Sequence, residues 1–357
     1  MRIFIILGIF IVNIHTLSAQ KLVPTDFSFR SMVVDSTDST YNNMRSNVIT
    51  EIILPEDSVV WLGTGLGVSI IRIRPDTITV ETLPDTTGLE NSPENSQGTP
   101  TNRLPQDGIS AMAFRDQGRI MMLIAFAGSE NDIPVGQGFA LTSNASAFNA
   151  TDSTINWTYY NQQIENNDKP YFEFWQFKSE ALPITVPHQN VTYDIALSHL
   201  DEDTSYAFTA SWAGGLRRLK FKNEYNSNGD IIGIIPIKWE RVPIPMDNQF
   251  KLNTCELTSY DTVPDPYDPP NEMLILKDYY FNPRDPIDGG NHNHKVFSIL
   301  TYGDTIWVGT ANGINRGIFG GYSQTFGYCI NWEHYSYPEY NLSGNFVVGL
   351  ALQMHKG

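Results

Sequence analysis

Two histidines two residues apart, in Gly289-Gly290-Asn291-His292-Asn293-His294, are the side chains best suited to hold a metal or move a proton. On an extended strand, residues i and i+2 share a face. His292 and His294 would then present neighbouring imidazoles, as a metal site or an acid–base step requires. No third ligand accompanies them, and the same residues fit a polar rim before a strand. No metal, cofactor or catalytic residue is therefore assigned. A second cluster is aromatic. Tyr159, Tyr160, Tyr171, Phe172, Phe174, Trp175 and Phe177 crowd one span beside Gln162, Gln163, Asn166 and Asn167. Rings stack on the C–H faces of sugars while amides bond to hydroxyls, so the span has the makings of a carbohydrate platform. The competing reading is that these rings anchor a loop to the sheets beneath it. Asp261, Asp265 and Asp268 offer oxygens, but their spacing fits no calcium loop. No nucleophile elbow, phosphate loop or cysteine quartet occurs.

The elements that must position these groups are read from a repeat. Val60-Trp61-Leu62-Gly63-Thr64-Gly65-Leu66-Gly67-Val68 returns as Ile306-Trp307-Val308-Gly309-Thr310-Ala311-Asn312-Gly313-Ile314. Around the second copy, β-branched and aromatic runs at Val296–Tyr302, Thr305–Thr310, Ile314–Phe319 and Ile330–Tyr335 alternate with tight turns. That is a four-stranded antiparallel meander, too small to bury both faces by itself. Degenerate copies begin at Asn190 (with Trp212 and Gly215) and near Gly108. Closing strands share an aliphatic-x-Trp pattern at Trp157, Trp239 and Trp332. Radial stacking of such sheets buries their faces, which predicts an all-β propeller of four-stranded blades, four to five present, in an incomplete ring. The blades are placed at 47–106, 107–160, 188–243 and 294–338, with another starting at 344–357 and insertions at 161–187 and 244–293. Trp61, Trp212 and Trp307 are read as contacts between sheets. Gly63 and Gly309 allow close approach, Gly67, Gly215 and Gly313 serve as turn residues, and Thr64 and Thr310 stand between them.

The pattern Trp-aliphatic-Gly-Thr-x-x-Gly-Ile-x-Arg, as at Trp307 to Arg316, resembles the two-component regulator propeller repeat. The Asn-x-Val-like starts at Asn47 and Asn190 are similar to it too. The resemblance covers about residues 45 to 357. It implies a propeller fold and a sensing role, since members of that family include periplasmic sensor halves that recognise polysaccharide fragments. This sequence carries no membrane span after the repeats and no kinase or regulator domain.

Met1-Arg2, the apolar run from Ile3 to Val12 and Ser18-Ala19 read as a secretory signal peptide ending at residue 19. The run is short for a bilayer crossing, so an integral membrane protein is not expected. Residues 20–46 form an N-terminal segment in which Asp26–Arg30 is a candidate ring-closing strand. The alternative, preferred here, is that the sequence is a fragment, because it stops at Gly357 where a turn and a Trp strand should follow. Cys255 and Cys329 are expected to be free or incidental. A net charge of −16 argues against nucleic acid and anionic membrane surfaces. The function expected is an exported, non-enzymatic module binding a glycan or protein, of open oligomeric state. A propeller lyase or hydrolase using the rim histidines is one alternative, and a structural module of a larger cell-surface protein is the other.

Overall fold

The computed structural model describes residues 44, 46, 48–83, 100–105, 107–116, 120–142, 155–162, 172–174, 177–179, 190–199, 204–225, 227–228, 231–257, 260–264, 272–276, 290–323 and 327–353. The leader, nearly all of 20–46, Asn47, Tyr171 and Trp175 lie outside the described residues.

Blade 1 consists of β1 (Ile49–Glu56), β2 (Val59–Thr64), β3 (Gly67–Arg74) and β4 (Thr77–Thr82), paired antiparallel in that order. A two-residue strand, β5 (Pro100–Thr101), adds to the outer edge of blade 2, whose strands are β6 (Gly108–Asp116), β7 (Ile120–Glu130), β8 (Ile133–Thr142) and β9 (Trp157–Tyr160). Next come β10 (Phe172–Phe174) and β11 (Phe177–Ser179). Blade 3 follows with β12 (Thr192–His199), β13 (Thr204–Ser211), β14 (Gly215–Tyr225) and β15 (Ile231–Arg241). After β16 (Lys251–Asn253), β17 (Tyr260–Pro264) and β18 (Glu272–Leu276), blade 4 is built from β19 (Val296–Tyr302), β20 (Thr305–Thr310), β21 (Gly313–Ser323) and β22 (Gly327–Tyr335). The two insertions meet each other: β10, β11, β18 and β17 form a separate small sheet, with β11 and β18 parallel.

The innermost strands stand side by side in chain order, β1 against β6, β6 against β12 and β12 against β19. Between blades, apolar faces interlock. One cluster joins blades 1 and 2 through Trp61, Ile70, Ile124 and Trp157. A second joins blades 2 and 3 through Leu123, Phe139, Ile195 and Leu219. A third joins blades 3 and 4 through Phe208, Leu216, Ile306 and Trp332. This is the propeller arrangement expected from the repeat. Each closing-strand indole reaches back to the preceding blade: Trp157 meets Trp61 edge-on at 6.5 Å, and Trp239 meets Phe139 at 4.8 Å.

The described blades make an arc with two open ends. On β1, Ile52 and Leu54 point away from blade 2 and are 55% and 57% exposed. Trp307 occupies in blade 4 the place of Trp61, yet is only half-buried, because no described sheet covers that face.

The repeated Gly-Thr-x-x-Gly turn now has a physical reason for each residue. Thr64 is fully buried; its hydroxyl donates to the Gly67 carbonyl at 2.8 Å and accepts from Leu66 N. Thr310 likewise accepts from Asn312 N, and its single proton is shared between the Gly313 carbonyl and Asn293 Oδ1. Gly67 and Gly313 sit at φ +115° and +104°, where a side chain would be strained. A Cβ on Gly63 would lie 2.7 Å from Ile109 of the next inner strand, and one on Gly309 would lie 2.6 Å from the Val347 carbonyl. Val347 N donates to Thr310 O at 3.0 Å, so the 345–347 stretch holds against blade 4 the place that the start of β6 holds against blade 1.

One expectation is corrected. Cys255 and Cys329 are not free but form a disulfide, with Cα atoms 5.3 Å apart. Within the insertion at 244–293, β16 pairs with β22, matching Lys251 to Glu333 and Asn253 to Asn331, and makes the sheet of blade 4 five-stranded. The 3-10 turn Thr254–Glu256 that follows delivers Cys255 beside Cys329, while Thr254 Oγ1 accepts from Ile330 N at 2.8 Å.

Candidate functional site

The geometry of the four inner strands points to the hub. All enter from the same side, and toward their C-terminal halves they enclose a cavity of about 500 Å³. Ile53 comes from β1, Met112, Phe114 and Arg115 from β6, Ile195, Leu197 and Ser198 from β12, and Thr301 and Tyr302 from β19. Alternate residues of β6 turn to blade 1 (Met112, Phe114) and to blade 3 (Ala113, Arg115), and both sets border the cavity, which mixes the wall. The polar groups there are under-used. Arg115 Nη1 donates to Ser205 Oγ at 2.7 Å, but Nη2 has no partner. Burial pulls the Arg115 guanidinium down to about 10, against a smaller opposing effect of Tyr225. Ser198 is 4% exposed, and its hydroxyl also lacks a partner. Thr301, by contrast, donates to the Leu197 carbonyl at 2.8 Å.

Nearer the start of β12, Asp194 acts as a clamp between blades. Its carboxylate accepts from Ile195 N at 2.8 Å and from Ile299 N of β19 at 2.7 Å. Burial pushes its pKa up to about 6; the two amides lower it, and the Glu51 carboxylate on β1 raises it further. An acid whose folded pKa exceeds its unfolded value near 3.8 favours the native state when protonated. That contribution is complete below about pH 4 and is lost as pH rises through 6. Denaturant midpoints compared between the protein and Asp194→Asn should therefore diverge across this interval, to the disadvantage of the protein carrying Asp194, by up to about 3 kcal/mol. Curves that stay parallel from pH 4 to 7 would contradict this.

The structure separates the two sequence-nominated histidines. They lie on a 3-10 turn, His292–His294, rather than on a strand, so they share no face. His292 is exposed, with Nδ1 3.0 Å from Lys295 Nζ. His294 is fully buried, and burial depresses its pKa to about 3, leaving it neutral. Between them, Asn293 anchors a buried polar knot. Its Oδ1 accepts from Thr310 Oγ1 and Asn315 Nδ2, both at 2.8 Å, and its Nδ2 donates to Pro245 O and Asn315 Oδ1. Asp247 accepts from the backbone amides of His292 and Asn293 and holds the turn in place. The segment thus pins the entry of β19. Among the described residues, no group of three His, Cys, Asp or Glu side chains is placed to hold a metal ion.

The aromatic span is likewise divided. Tyr159 is buried and its hydroxyl donates to the Gln137 carbonyl, while Tyr160 is half-buried and packs between blades 2 and 3. Both serve as anchors in blade 2; Tyr171 and Trp175 are outside the described residues. Of the repeat tryptophans, Trp212 lies beneath Lys295 Nζ at 5.0 Å from its ring centroid.

A second, larger hollow of about 640 Å³ lies on blade 4 between β16 and the β21–β22 pair. Its charges satisfy one another, with Arg316 and Tyr335 both donating to Glu333. Arg316 Nε and Trp332 Nε1 there lack partners too, so what sets the hub apart is a wall drawn from all four described blades. Sequence inspection did not single out Arg115 or Ser198, because neither belongs to a motif. The available signal was only that each sits late on an inner strand.

Among the described residues, no helix is long and apolar enough to cross a membrane. No family model and no curated protein matches the chain. Solved structures similar to it include Drosophila Semaphorin 1b, extracellular domains 1–2, at 10% identity, covering 80% of this chain and 54% of that one, with a TM-score of 0.33. Drosophila Plexin A in complex with Semaphorin 1b gives 10% identity, 80% and 55% coverage, and a TM-score of 0.32. An ancestral GH74 enzyme gives 11%, 80% and 34%, and 0.29. The chain spans about half the length of the first two. The propeller architecture described above rests on the sheets themselves.

Proposed function

We propose that the chain is an exported, non-enzymatic β-propeller module that binds its ligand at the hub. The observation that carries this reading is the hub cavity, whose wall takes side chains from the inner strand of every described blade. A volume of about 500 Å³ falls within the ordinary range for small-ligand pockets, and the wall mixes apolar side chains with polar groups that can fix a ligand's orientation. Glycans and protein loops are the ligand classes considered. Export is supported by the apolar leader of the sequence and by the disulfide, which persists in oxidising compartments. Membership of the two-component regulator propeller repeat family is proposed on the Trp61 and Trp307 repeats.

Leu197 is half-buried on the cavity wall, at the edge of the cluster between blades 2 and 3, and Leu197→Trp should fill the hub. Oligosaccharide and peptide arrays probed with both proteins should show signals that disappear in the variant, while its thermal unfolding stays close to that of the parent. Signals that survive in Leu197→Trp but vanish in Trp175→Ala would move the site to the aromatic span and refute the hub.

A further inference from the structure

Resting on the hub as the ligand site, we infer that its ligand is amphipathic, with a single anionic head met by Arg115 and an apolar body laid along β6 and β12. The first reason is the pairing of the cations. Arg218 is paired to Glu240 at 3.0 Å, Arg316 to Glu333 and Arg72 to Glu81. Arg115 instead spends one nitrogen on a neutral serine hydroxyl and leaves Nη2 without an acceptor. No described carboxylate pairs with it, in a chain whose net charge is −16. A guanidinium carries five donors and no acceptor, so an acceptor brought by a ligand can complete it.

The second reason is the lining beside Arg115. Ile195 and Leu197 share the face of β12 turned to blade 2, the side on which Arg115 reaches Ser205, and both line the same cavity. The third reason is polarity within the hub. Glu51 and Asp194 stand near the start of the inner strands and Arg115 near the end of its own. The two carboxylates disfavour an anion on their side, so the head is directed to Arg115. The remaining wall at Ile53, Met112, Phe114 and Leu197 is apolar and suits an aryl or alkyl body. One cation among the described lining residues, Arg115, favours a monoanion, a carboxylate or a sulfonate, over a polyphosphate.

The test uses phenylbutyrate and its uncharged analogue phenylbutyramide, titrated calorimetrically into the full chain, into Arg115→Gln and into Leu197→Trp. The acid should bind the parent about tenfold more tightly than the amide, the ratio expected for a charge-assisted bond over a neutral one. Arg115→Gln should bind both probes equally, and Arg115→Lys should restore part of the preference. Equal binding of the two probes by the parent, a preference that survives Arg115→Gln, or no binding of the acid overturns the anionic head. Binding of both probes that Leu197→Trp leaves unchanged overturns the hub itself. Thermal unfolding of each variant beside the parent separates loss of recognition from loss of fold.

Discussion

Reducing the Cys255–Cys329 bridge is expected to lower the unfolding free energy by about 4 kcal/mol. The bridge spans 74 residues of chain. Cross-linking removes loop-closure freedom from the unfolded ensemble, by about 3 kcal/mol for fifteen residues and about 4.7 for a hundred, so a loop of this length lies near the upper figure. There is also a local consequence. The edge strand β16 is only three residues long, and Lys251 at its start is exposed. With the bridge gone, the strand is held by pairing to β22, the Thr254–Ile330 and His334–Phe250 bonds and the packing of Leu252. The preferred variant is Cys255→Ser, because Cys329 is fully buried and its replacement would add a packing defect. Urea titrations of the oxidised protein, the protein in reductant and Cys255→Ser should place the last two together at a lower midpoint. Coincidence of all three midpoints would show that the bridge contributes nothing. A deficit in reductant that Cys255→Ser does not reproduce would point away from this disulfide.

What the sequence revealed, and what it hid, follows from the range of the interactions involved. Trp61, Gly63, Thr64 and Gly67 describe one turn and one strand, and their meaning is local: a hydroxyl closing a turn, a glycine at positive φ, an indole against the next sheet. Such a pattern survives in linear order, so the blades were legible. The disulfide was not, because it depends on β16 crossing back to β22, a pairing without periodicity that connects residues far apart in the chain. The histidines misled for a related reason. Asn-His-Asn-His has strand-like spacing, yet Asp247, 45 residues away from His292, captures two amides and turns the segment into a 3-10 turn. Arg115, proposed here as a ligand contact, carries no signal in the sequence, because the lack of a carboxylate beside it among the described residues is a property of three dimensions.

Replacing Glu240 with alanine is expected to destabilise the fold by about 3–5 kcal/mol, the largest effect of any single substitution considered. Arg218 and Glu240 face each other across β14 and β15, and their side chains are only 4% and 8% exposed. Arg218 is also shared with the next blade. Nη1 donates to the Tyr328 carbonyl on β22 at 3.1 Å, and the guanidinium lies 4.7 Å from the Tyr206 ring centroid. Removing Glu240 leaves this cation buried between two sheets without its counter-charge, and the desolvation penalty that the pair had offset returns in full. Glu240→Gln keeps an acceptor for Arg218 Nη2 and should lose less. The pair Arg72–Glu81 provides the contrast, since Glu81 is 40% exposed and Glu81→Ala should change stability by less than about 1 kcal/mol. Because Arg218 joins blades 3 and 4, the damage from Glu240→Ala should be concentrated there. Amide exchange should accelerate along β14 and β22 before it does along β2 and β3. A Glu240→Ala protein no less stable than Glu81→Ala, or one whose exchange rises uniformly, would mean that the boundary between these blades is held by Phe208, Ile306 and Trp332 without help from the ion pair.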